Sequence, residues 1–144
     1  MKTNHPANNG SNWNGAMSKN LRMALYIRAG FTCAACGRSA LGGRRLRLSL
    51  DHLRAVSLGG SDEPQNLVVL CQSCNSSKGK LTLKAWLAKG GHRRRGLCAS
   101  AAVVERQLLA QAADPVGKYA AAGRKLVSAR RKQLRTARAA KKAA

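Results

Sequence analysis

Three things are scarce in this chain of 144 residues: aromatic side chains, acids and long apolar runs. Phe, Trp and Tyr together make up 3% of it. That argues against a large aromatic core, and a small domain without one often needs a staple. Only five residues are Asp or Glu, against 27 Lys and Arg, for a net charge of +22. A surface of that sign favours polyanions, with nucleic acid ahead of an anionic membrane. The lack of long apolar runs, and of Trp or Phe anchors in the basic segments, argues against a membrane. The opening "MKTNHPANNGSNWNGAMSKN" has no apolar core of the secretory kind. The expected compartment is therefore a reducing cytoplasm, where disulfides are rare.

Five cysteines in such a compartment need another explanation. Four are paired as "CAAC" (Cys33, Cys36) and "CQSC" (Cys71, Cys74), and Cys98 stands alone as a spare thiol. Each C-x-x-C pair offers two thiolates from one turn, and two pairs complete a tetrahedral zinc site. Four cysteine ligands leave no open position, so the expected Zn²⁺ is structural. Buried free thiols, or a redox C-x-x-C, are the alternatives. Structural zinc serves many activities and by itself names none.

Composition divides the chain into three. Residues 1–17, rich in Asn and Gly, read as a disordered leader. Residues 18–92 carry the patterned elements. "SKNLRMALYIRAG" is a helix capped by Ser18 and stopped by Gly30. "RRLRLSLDHL" alternates as a strand, "SLGGSDEPQN" is a loop, and "LVVLC" is a short apolar strand. "CNSSKGKL" begins a helix, and "TLKAWLAKGG" adds a further turn or two. The fold class expected is α+β. Residues 93–144 form a basic extension, with a helix at "SAAVVERQLLAQAAD", a break at Pro115, and a basic helix or disordered arm beyond. By count, residues 18–92 carry a net +9 and the shorter residues 93–144 carry +12.

Three of the five acids (Asp51, Asp62, Glu63) and one of the three histidines (His52) fall between the cysteine pairs. Asp51 and His52 end the alternating strand. Asn66 follows beyond the Gly-Gly loop, and Asn75 comes directly after Cys74. This arrangement, "DH…GG…NL…LC..CN..K", resembles the HNH endonuclease family over about residues 31–86. The resemblance implies a ββα-metal core, two strands and a helix gripping one divalent ion, stapled here by the four-cysteine zinc site with flanking helices. It implies Asp51 and Asn75 as ligands of that ion, His52 as general base and Asn66 as a residue that orients His52 or ties the loop. Many members have a second histidine where this chain has Asn75. An amide oxygen beside a carboxylate suits Mg²⁺ or Mn²⁺ better than a softer ion.

The chemistry agrees with those roles. Phosphodiester hydrolysis needs a nucleophile, charge neutralisation at the phosphate and help for the leaving oxygen. Histidine, with an ordinary pKa of about 6.5, can take a proton from water near neutrality. A single carboxylate beside it argues for one metal ion. One geometric tension stands: neighbours on a regular strand face opposite sides, so Asp51 and His52 converge only if the strand ends or distorts there.

The bland readings are equally definite. Asn66 can shape a turn, Asn75 can cap a helix, and Asp62 and Glu63 read as solvated loop charges. His5 and His92 receive no role. Lys78, one turn beyond Asn75, and the run Arg124, Lys125, Arg130, Arg131, Lys132, Arg135 are expected to contact DNA phosphates without reading sequence. The partner expected is double-stranded DNA, nicked or cut. A terminase or other acidic protein is a further candidate, since the family is frequent in phages, where the compartment would be the host cytoplasm. A zinc-stapled nucleic-acid-binding protein without chemistry is the alternative from another class.

Overall fold

The computed structural model describes residues 17–43, 45–93 and 99–143. Most of the leader, and Cys98, lie outside the described residues. The fold is α+β. Its elements run α1 (Lys19–Arg28), β1 (Leu48–His52), β2 (Leu67–Cys71), α2 (Gln72–Lys78), α3 (Leu83–Ala88), α4 (Ala101–Ala113) and α5 (Ala120–Ala143).

α1 begins where Ser18 accepts a hydrogen bond from the Leu21 amide at 3.1 Å, satisfying one of the helix's open N–H groups. β1 and β2 pair antiparallel, from Leu48 opposite Cys71 to His52 opposite Leu67. Every residue of β2 is buried, because both faces of the hairpin are covered. Leu67 and Val69 join Leu25 of α1 and Leu50 on one face. Val68 and Leu70 join the cysteines, Trp86, Val104 and Leu108 on the other. Register therefore sorts the functional candidates: Asp51 stands opposite Val68 on the cysteine face, and His52 opposite Leu67 on the α1 face.

α4 lies beyond the composition shift at residue 93 yet shares this core. Its Val104, Leu108 and Ala112, at helical spacing, are buried in the cysteine cluster. Gln111 Oε1 accepts from the Val69 amide at 2.7 Å, which closes an open position on the edge of β2. Arg28 ties the layers together. Its guanidinium donates to the carbonyls of Pro64, Leu67, Ala112 and Asp114, and so fastens α1 to the end of α4 and the start of β2.

α5 packs against α1 through Gly123 and Val127. A Cβ on Gly123 would lie 2.9 Å from the Asn20 carbonyl oxygen, so only glycine permits this close crossing. After Val127 every described residue of α5 is exposed. Among the described residues, no helix is long and apolar enough to cross a membrane.

Candidate metal and nuclease site

The "FTCAACG" turn folds back on itself, with the Cys33 amide donating to Arg38 O and the Gly37 amide to Cys33 O, both at 2.9 Å. The Ala34 amide donates to Val69 O at 2.9 Å, which pins the turn to β2. The second pair comes from the end of β2 and the first turn of α2. All four thiols are buried, and their sulfurs lie within 4.8 Å of one another. Cys36 Sγ and Cys71 Sγ are 3.8 Å apart. A tetrahedron with metal–sulfur bonds of about 2.3 Å has edges of about 3.8 Å, so the cluster fits a four-sulfur metal site. The Cys74 thiol hydrogen-bonds to Cys33 and draws it down to a pKa of about 4. The same bond, together with burial, pushes Cys74 up. Thiols this close can all ionise only around a cation. Arg38 adds positive charge from outside, donating through Nε to Cys36 Sγ at 3.5 Å and through Nη2 to Cys71 Sγ at 3.1 Å. The two thiolates hold the guanidinium's pKa above its usual value.

On the cysteine face of β1, Ser49 and Asp51 meet α2. Asn75 Nδ2 donates to Ser49 Oγ at 2.7 Å. Lys78 Nζ stands 2.8 Å from Asp51 Oδ2 and donates to His52 O at 2.7 Å. Asn75 and Lys78 are three residues apart on one helix, so their side chains share a face. Asp51 and Asn75 are thus brought into one layer between β1 and α2. Asn75 lies inside α2, whose N-cap is Cys71, so it does not cap that helix. Asp51 Oδ2 is buried, and its partner among the described residues is the Lys78 ammonium of that ion pair. Burial raises the Asp51 pKa, and Lys78 opposes this without cancelling it. A carboxylate and an amide in one layer are the oxygen donors that a small hard cation takes, and such an ion would compete with the Lys78 ammonium for Asp51.

The assignment of Lys78 to a DNA phosphate needs correction. The residue is 1% exposed, and its ammonium is enclosed between the carboxylate of Asp51 and the carbonyl of His52. It positions the Asp-His pair instead. Its apolar stem and charged tip allow a lysine to cross a core and still be paired; spacing on the helix alone did not reveal that the tip points inward.

His52, on the opposite face, reaches a residue that sequence reasoning set aside. Its Nε2 lies 2.9 Å from Asp62 Oδ1, with the histidine buried and the carboxylate 43% exposed. Burial lowers the His52 pKa, and Asp62 opposes that shift. Asp62 is therefore not a simple solvated charge. Asn66 holds the loop that carries it: Oδ1 accepts from the Arg54 amide, and Nδ2 donates to Arg54 O and Ser61 O. No hydrogen bond joins Asn66 to the His52 ring among those described. Gly60 lies beneath this clamp, where a Cβ would fall 1.8 Å from Arg54 O. The sequence signal was present in "GGSDEPQN", a Gly-Gly turn that brings an acid back ten residues after the histidine. β1 remains regular through His52, so the strand does not turn Asp51 and His52 to one side.

Residues 33–81 match the family model described as HNH endonuclease. This stretch is an HNH endonuclease domain. It covers 49 of the 144 residues, from the first knuckle cysteine to just past α2, and includes every residue of the two clusters above. No curated protein and no solved structure matches the chain. Outside the HNH domain, the basic residues Arg124, Lys125, Arg130, Arg131, Lys132 and Arg135 are all exposed on α5. The helix's 24 residues span about 36 Å.

Proposed function

We propose that the protein is a divalent-metal-dependent endonuclease that hydrolyses phosphodiester bonds of duplex DNA, with His52 as general base. The observation that carries this reading is the layer between β1 and α2. There the largely buried Asp51 carboxylate and the Asn75 amide share one layer, with a histidine held by its own acid next along the strand. Asp51 and Asn75 would hold Mg²⁺ or Mn²⁺, and the four cysteines would hold structural Zn²⁺. When bound, the hard cation supplies charge neutralisation at the phosphate and at the leaving oxygen. His52 takes a proton from the attacking water, whose oxygen bonds to phosphorus as the P–O3′ bond breaks. Asp62 keeps the ring oriented and stabilises the imidazolium that forms. Lys78 fixes both Asp51 and the His52 backbone. The exposed basic face of α5 supplies phosphate contacts that carry no sequence information.

The reading is tested on supercoiled plasmid with Mg²⁺ or Mn²⁺, and again with EDTA at a level that leaves the cysteine site loaded. The expected result is nicked or linear product with the cation and none with EDTA, while DNA binding persists in both. Retained binding with DNA unchanged in length under every condition would instead identify a binding protein without chemistry.

The histidine also predicts a pH dependence. A base whose folded pKa lies below its ordinary value of about 6.5 is neutral throughout the range above it. Activity should therefore hold from neutral pH upward and fall only on an acidic limb below about pH 6.5. The stability linkage has the same sign: the neutral buried ring contributes fully above the unfolded pKa, and this is lost as pH falls through the folded one. Asp62→Asn removes the group that raises the histidine's pKa, so it should move the limb to lower pH as well as slow the reaction. A single-turnover pH–rate profile checks this. A limb above about 6.5, or one that Asp62→Asn leaves in place, would count against the assignment.

A further inference from the structure

At the opposite end of β1 from Asp51 and His52, a shallow groove is lined by Arg38, Arg45, Leu46, Arg47, Gln72 and Ser73. Three of the six are arginine and none is acidic. The three acids of the HNH domain all fall at the far end of β1 or in the loop beyond it. Arg45 and Arg47 are exposed. The backbone beside them is fixed, since Gln72 N donates to Arg47 O at 3.0 Å and the next residue pairs with Cys71. Arg38 is fixed too, by its two bonds to the metal-site sulfurs. Those bonds use two of the five N–H groups of a guanidinium. The groove thus carries three planar, permanently charged donors suited to bidentate contact with phosphate, with Arg38 held through its side chain and Arg47 through its backbone.

We propose that this groove is a second docking site for the DNA backbone, seating a phosphate away from the scissile one. The inference rests on reading the Asp51–His52 site as a nuclease and goes beyond it by fixing where the duplex must run. Arg47 immediately precedes β1 and stands four residues from Asp51, about 13 Å at about 3.3 Å per extended residue. Phosphates follow one another closely enough along a DNA strand for one backbone to meet both sites at once, with β1 between them. The metal knuckle then has a use beyond stapling: through Arg38 it orients a phosphate donor.

The experiment is a salt titration of duplex binding, by fluorescence anisotropy with a labelled oligonucleotide duplex and no catalytic cation. It compares the wild-type protein with Arg45→Gln/Arg47→Gln, both at matched metal content and melting temperature. Each lost phosphate contact should flatten the slope of log K against log salt by about 0.9, so the double variant should lose about 1.8. Removing two exposed charges elsewhere, Lys84→Gln with Arg106→Gln, should leave the slope as it was. An unchanged slope in the groove variant, or an equal loss in both variants, overturns the site. A wild-type protein that fails to bind duplex at all would instead refute the nuclease reading on which the site rests.

Discussion

Cys33→Ser is expected to abolish the fold of the HNH domain. Binding of structural zinc by small peptides is worth about 10–16 kcal/mol near neutral pH, whereas whole domains are stable by about 5–15 kcal/mol. Here the site joins the "FTCAACG" turn to the end of β2 and the start of α2. Among the described residues, the cluster around it contains one aromatic side chain, Trp86. Serine offers an oxygen that is a poorer ligand than a thiolate, and it leaves three buried thiols around a weakly held ion. The purified variant should lack bound zinc and show no cooperative thermal transition in circular dichroism. The wild-type protein should lose its transition when a strong chelator strips the metal. A metal-free protein that still melts cooperatively would show that the apolar cluster alone holds the domain, and the zinc staple would be discarded. Loss of the fold should also remove DNA cleavage, so this variant speaks to the scaffold and not to the chemistry.

Local pattern was enough for α1 and for the strands of the HNH domain. Ser18 caps α1, the alternation of Leu46, Leu48 and Leu50 leads into β1, and "LVVLC" forms β2. These signals are local: a hydroxyl before a helical run, a period of two, and a short apolar stretch between breaks. The cysteine frame was equally readable, because spacing within a turn determines where two thiols point. What stayed hidden depends on partners distant in sequence. Arg28 looks like one more surface charge until four carbonyls from three other segments converge on it. Lys78 looks like a phosphate ligand until Asp51 meets it across the β1–α2 layer. Asp62 looks like a solvated charge until the loop, shaped by Gly60 and clamped by Asn66, returns it to His52. α4 was legible as a helix but not as part of the core, since its apolar stripe of Val104, Leu108 and Ala112 gives no sign of what it covers.

The candidate site inherits a tension from this geometry. Asp51 and His52 lie on opposite faces of a regular strand, the first engaged with α2 and the second with the loop. They stand at the strand's last two positions. Lys78 holds both halves, through the carboxylate of one and the carbonyl of the other. The proposed division of labour gives the cation to the carboxylate side and the proton to the histidine side.

His52→Ala separates those two halves, and its expected effect on chemistry is the largest of any single substitution outside the cysteine frame. Truncation removes the imidazole proposed to take the proton from water. It leaves Asp51, Asn75 and Lys78 in place, and the exposed arginines and lysines of α5 untouched. Binding of duplex and zinc content should therefore match the wild type, while proton transfer falls to solvent alone. General-base assistance is worth roughly 10²–10⁴-fold in rate. Asp62, left without its partner, is partly exposed and can return to water, so the variant should remain folded.

The decisive measurement is the single-turnover rate of plasmid cleavage in Mg²⁺ by wild type and His52→Ala, at matched zinc content, melting temperature and DNA affinity. With His52 as the base, the variant's rate should be lower by about 10²–10⁴-fold. Cleavage at the wild-type rate would contradict that role, and the base would have to be sought elsewhere.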